Sequence, residues 1–226
     1  MRRNTMNRRT VLTRCGVAAA GVAAGATVLT AQSTNGRATP APHPQDAWLD
    51  AVPGRHRSFI DATTVRGAGE AVLYANNLYE ANKTGYALTD SDVAIVICLR
   101  HFATAFAFTD AMWAKYGGPM SAMLDFTDPK TKQAPTKNLL NADGYGMSLP
   151  NLGNTLDAVR KRGTRFAICD MATRFVARQV AGSTGNADAI YKELVANRIP
   201  DSHMVPAGVV AVNRAQEHGF TLLTTL

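Results

Sequence analysis

Short, nearly unbroken apolar runs alternate with segments of helical spacing from Arg55 to the end of the chain. Arg57 to Thr63 reads as a modest strand, and Ala68 to Asn82 as a helix with Val72, Ala75 and Tyr79 on one side. Asp92 to Leu99 is an acidic lead followed by continuous apolar residues, the pattern of a strand buried on both faces of a parallel sheet. Phe102, Phe106, Asp110 and Trp113 then fall at helical spacing, with Gly117-Gly118-Pro119 as the expected stop. The pattern breaks down from Gly117 to Pro150, a length that in a compact domain marks a lid, a binding loop or an assembly arm. Regular spacing returns with a helix over Asn151 to Arg162, closed by Gly163, and a strand over Arg165 to Cys169. Helices over Met171 to Ala181 and Ala187 to Asn197 follow. A short Met204-Val205 segment, a helix from Pro206-Ala207-Gly208 to His218 and a last strand over Phe220 to Thr224 complete the chain. Strand and helix in alternation specify an α/β fold, a flavodoxin-like three-layer sandwich on a mainly parallel sheet of about five strands.

The first residues follow a different plan. Five arginines and no acid lie between Met1 and Arg14, an apolar run extends from Gly16 to Ala31, and small polar residues follow. A basic head, a short apolar middle and a small-residue exit make a secretory signal over residues 1 to 31. The run is too short and too rich in Gly and Ala for a typical membrane span of about 20 apolar residues. Asn7-Arg8-Arg9-Thr10-Val11-Leu12 resembles the twin-arginine export motif, with Val11 where the motif usually has Phe. That resemblance implies the twin-arginine export machinery as a partner and a periplasmic or otherwise exported location. Residues 32 to 54, polar and Pro-rich, are expected to form a flexible leader ahead of one domain over residues 55 to 226.

Setting the signal aside changes the charge argument. The chain has 24 basic and 17 acidic residues, +7, and the signal holds five of the basic ones. The remainder is 19 against 17, or +2, which lacks the basic face a nucleic acid requires. Arg160-Lys161-Arg162 is the one basic cluster, and the last turn of a helix is a favourable place for cations. No nucleic-acid partner is expected.

Two cysteines remain beyond the signal, Cys98 and Cys169, each at the carboxyl end of an expected strand. Ligands of such sheets sit at those ends. Cys169 precedes a helix N-terminus, where unpaired N–H groups and the positive end of the dipole favour thiolate, the form that attacks or carries sulfur. Arg100 and His101 follow Cys98 and are placed to stabilise an anionic sulfur. The candidate site is therefore Cys169 as the reactive group, with Cys98, Arg100 and His101 as binding residues. Cysteine is also a common inert core residue, and a Cys98–Cys169 disulfide is a further alternative. His101, His203 and His218 lack metal-ligand spacing, and no haem, nucleotide or nucleophile-elbow motif is present. No metal and no cofactor is expected. Phe102, Phe106 and Trp113 are expected in the core, Met120 and Met123 against a partner subunit.

Residues 166 to 223 resemble the DsrE/DsrF-like family of sulfur-relay proteins. The resemblance rests on Phe166-Ala167-Ile168-Cys169, Val205-Pro206-Ala207-Gly208-Val209-Val210 and Arg214-Ala215-Gln216-Glu217-His218-Gly219-Phe220, and more loosely on the strand Val93 to Ile97. It implies a flavodoxin-like domain, a homo-oligomer (trimer or hexamer), and a cysteine at position 169 that accepts sulfur as a persulfide from small sulfur species. The alternative expectation is a non-enzymatic oligomeric protein that binds a small ligand and keeps Cys169 as packing.

Overall fold

A computed structural model describes residues 41 and 43–226; the expected signal and the first part of the leader lie outside the described residues. Five parallel strands form one sheet in the order β4-β3-β2-β1-β5: β1 His56–Ala62, β2 Val93–Leu99, β3 Arg165–Cys169, β4 Ser202–Val205 and β5 Thr221–Thr225. β2 lies at the centre and every one of its residues is buried, as its unbroken apolar sequence requires.

The pleat sorts the strand residues onto two cores. Ile60, Ile95, Ile97, Leu99, Phe166 and Ile168 face α2 (Val65–Tyr86), α3 (Asp110–Leu124), α4 (Leu156–Lys161), α5 (Asp170–Ala181) and α6 (Ala187–Ala196). Phe59, Ala94, Val96, Cys98, Ala167 and Val205 face α1 (Ala47–Asp50) and α7 (Gly208–Glu217). The result is the three-layer, flavodoxin-like sandwich expected from the alternation of patterns. Among the described residues, no helix is long and apolar enough to cross a membrane.

Residues 44 to 52 fall within the segment expected to be a leader, yet they form a 3-10 turn and α1 and bury Leu49 and Val52. Arg57 fixes them by donating to the carbonyls of Leu49 and Val52 at 2.6 and 3.3 Å. Trp48 stacks on His203 with ring centroids 4.7 Å apart. Three apolar residues at turn spacing outweigh the Pro-rich composition here.

The helix expected to begin near Phe102 and to stop at Gly117 is displaced. His101–Ala107 is a 3-10 segment, and α3 runs from Asp110 through Gly117, Gly118 and Pro119 to Leu124. Packing holds the helix across these breakers: Trp113 and Met120 are fully buried. Met120, expected against a partner subunit, therefore belongs to the core, and the partly buried Met123 packs against it. Gly117 is required where it stands, because a Cβ would lie 2.0 Å from the Pro135 carbonyl oxygen. The expected helix over Asn151 to Arg162 shortens to α4. Leu152 and Gly153 adopt left-handed backbone, and Thr155 caps the helix by accepting the Ala158 N–H at 3.1 Å.

The rest of the irregular stretch is tied down by polar side chains. Asn138, 2% exposed, donates to the Phe106 and Phe108 carbonyls at 2.8 and 3.0 Å, and its N–H reaches Asp110 Oδ1 at 2.9 Å. Leu139, Ala142, Tyr145 and Leu149 form a small third core. Tyr145 donates to Asp128 Oδ2 at 2.6 Å, and burial first, then that carboxylate, pushes its phenol up to about 12.

Gly117→Ala is expected to lower the midpoint of urea unfolding, at a cost of about 1–3 kcal/mol from overpacking. Gly118→Ala, one residue on with no atom within 4 Å of its added Cβ, is expected to raise stability by about 0.5–1 kcal/mol.

Candidate functional site

Three crossovers advance the sheet in one direction, from β1 through β2 and β3 to β4, and the fourth returns to the opposite edge. A right-handed crossover then puts the first sets of helices on one face and α7 on the other. The chain leaving β3 enters α5 on one side, and the chain leaving the neighbouring β4 enters α7 on the other. Between them, at the carboxyl ends of the strands, a crevice opens where open parallel sheets bind ligands. A cavity of about 300 Å³ occupies it, lined by Arg100 to Phe102 after β2, by Cys169, Met171, Ala172 and Phe175 around the start of α5, and by Ala207 to Val209 at the start of α7.

Cys169 is the N-cap of α5. Its Sγ accepts the Ala172 N–H at 3.4 Å, taking the place of a serine or threonine cap oxygen. Its carbonyl accepts the Thr173 hydroxyl at 2.9 Å, which fixes the turn from strand to helix. The residue is 6% exposed, and it lines the cavity. Asp170 beside it is held by Arg174 Nε at 2.8 Å and by the Tyr191 hydroxyl.

Arg100 crosses the base of the cavity. Its Nε and Nη2 donate to the two oxygens of Asp61 at 2.6 and 2.8 Å, a bidentate pair in which the carboxylate side chain is 5% exposed and the arginine 25%. The arginine fits only because residue 208 is glycine: a Cβ there would lie 2.5 Å from Arg100 Cβ and 2.7 Å from Cδ. His101 follows with φ +53, a left-handed backbone that turns its exposed ring toward Phe102, centroids 4.2 Å apart.

The structure thus brings together three of the four residues expected at the site: Cys169, Arg100 and His101. Cys98 departs from that expectation. It is fully buried on the α7 side, beside Asp61 in register, and does not reach the cavity. Burial first, and then the Asp61 charge, push its thiol well above the ordinary value of 9.0. The disulfide alternative is not formed either. Cys98 stands opposite Ala167, so Cys169 lies two residues further along the neighbouring strand, and both cysteines are free.

Four contributors escaped the sequence reading. Asp61 is a lone acid at the end of a strand, a signal that a buried charge needs a partner. Met171, Phe175 and Val209 looked like ordinary apolar helix positions, yet they line the cavity and are 65%, 37% and 57% exposed. A larger cleft of about 570 Å³ lies along β4, lined by Trp48, His203, Asp46 and Arg214, and neither cysteine enters it. Burial and Arg198 lower the His203 pKa there, which favours the neutral imidazole at neutral pH. Among the described residues, no group of three His, Cys, Asp or Glu side chains is placed to hold a metal ion.

Arg100→Met leaves Asp61 buried without its ionic partner, and is expected to cost about 3 kcal/mol in urea unfolding, the low end for such pairs because the arginine is partly exposed. Adding Asp61→Asn is expected to recover part of that loss. In native protein at pH 9.0, the ordinary thiol value, peptide-mapped alkylation by iodoacetamide is expected at Cys169 and absent at Cys98 until the chain is unfolded.

Comparison with known proteins finds no matching family model, no matching curated protein and no matching solved structure.

Proposed function

We propose that this protein carries sulfur, or performs related thiol chemistry, at Cys169. The observation that carries the proposal is the placement of that thiol. It caps α5, accepts the Ala172 N–H, and shares one cavity at the sheet's switch point with Arg100 and His101. An anionic sulfur there meets a directed N–H, the positive end of a helix dipole and a guanidinium. Arg100 stays oriented because Asp61 holds its Nε and Nη2.

The resemblance of residues 166 to 223 to sulfur-relay proteins supports the same chemistry and adds a homo-oligomer. The Arg8-Arg9 motif adds export by the twin-arginine pathway as part of the proposal. A second reading, a ligand-binding protein in which Cys169 is only packed, draws on the 6% exposure of that residue.

Incubation with a polysulfide, followed by intact and peptide mass measurement, separates the two. The expected outcome is a reductant-sensitive gain of sulfur at Cys169, kept in Cys98→Ala and lost in Cys169→Ser with unchanged circular dichroism. A gain that survives Cys169→Ser elsewhere in the chain, or no gain at all, favours the packed cysteine.

A further inference from the structure

The walls of the Cys169 cavity carry more information than its base. Met171 and Phe175 on α5 and Val209 on α7 line it, with large fractions of their apolar surface in water. Phe102 extends the same apolar lining. The polar groups are confined to the thiol, His101 and Arg100, whose Nη1 makes no hydrogen bond among the described residues. A hydrated inorganic anion gains nothing from such walls. An apolar body placed between them removes their surface from water while its anionic end meets the guanidinium. The cavity's volume, about 300 Å³, matches a small organic molecule rather than a protein segment.

On the thiol-transfer reading above, on which this inference rests, we propose that the sulfur donor is a small organic sulfur anion with an apolar body, of the thiosulfonate class. The Cys169 sulfur attacks the terminal sulfur of R–SO2–S⁻. The bond between that sulfur and the sulfonyl sulfur breaks, and its electron pair leaves with the sulfinate, R–SO2⁻. The new S–S bond leaves Cys169 as a persulfide that keeps the thiol's proton: Cys169–SH and R–SO2–S⁻ give Cys169–S–SH and R–SO2⁻, with no outside oxidant or reductant. Arg100 Nη1 is the donor for the sulfinate oxygens, and Met171, Phe175 and Val209 enclose R.

The test compares benzenethiosulfonate with methanethiosulfonate on the full-length protein, following sulfur gain at Cys169 by peptide mass. Each rate is divided by that of the same reagent with glutathione, which removes intrinsic reactivity. The expected result is a normalised preference of about tenfold for the phenyl reagent, equal to about 1.4 kcal/mol. Replacing the two exposed wall residues together, Met171→Ser with Phe175→Ser, is expected to bring the preference close to parity with unchanged circular dichroism. Equal normalised rates on the wild-type protein, or a preference unchanged in the double variant, overturn the inference. Loading by neither reagent overturns the thiol-transfer reading itself, and this inference with it.

Discussion

The handedness of strand crossovers is the constraint from which the rest of this molecule follows. Three steps in one direction commit α2 to α6 to one face of the sheet, and the return to β5 commits α7 to the other. The crevice beside Cys169 is the gap left where those commitments part company, between the ends of β3 and β4. The same partition gives the two cores unequal cover. The α2 side buries most of the large apolar residues, whereas the other side relies on α7, the short α1 and the Arg57 clamp on residues 49 and 52.

At the base of the crevice the chain accepts an electrostatic liability. A carboxylate as deeply buried as Asp61 is costly unless it is paired, and Arg100 pairs it in the geometry that wastes least. Such pairs add little net stability compared with apolar packing, so their value lies in what they position. Here the pair fixes a guanidinium beside a thiol, and Gly208 gives up its side chain to make room. The Asp61 charge also acts on the neighbouring Cys98, whose burial already disfavours thiolate. Two cysteines close together in the fold thus have different surroundings: one is enclosed in core, the other ends a strand, opens a helix and lines a cavity.

The long irregular stretch shows the same economy of polar groups. Without a regular ladder, side chains take over: Asp128 and Asn138 accept the Lys130 and Leu140 N–H groups of the stretch itself, while Asn138 and Asn141 serve its neighbours, the Phe106 and Phe108 carbonyls and the Asp157 N–H. It is held as a third small core and anchored to the start of α3, on the opposite side of the sheet from α7. None of its residues lines the Cys169 cavity, so a lid over that site is not its place in the fold.

The order of strands and helices, the parallel sheet, and the placement of Cys169, Arg100 and His101 at strand ends were legible in the sequence. Apolar runs and helical spacing are local properties, and ligand sites at strand ends follow from the fold class. What tertiary structure decided were matters of partnership. Gly117-Gly118-Pro119 breaks an isolated helix, but burial of Trp113 and Met120 carries α3 through it. Cys98 and Cys169 both fall near strand ends; the apolar run around Cys98 already leans toward burial, and strand register shows that one lies within the sheet's core and the other at its rim. Asp61 and Arg100 are 39 positions apart, so their pairing is invisible until β1 and β2 align. A sequence states which groups exist along the chain; which of them meet, and with how much water between them, depends on contacts between segments that local pattern does not encode.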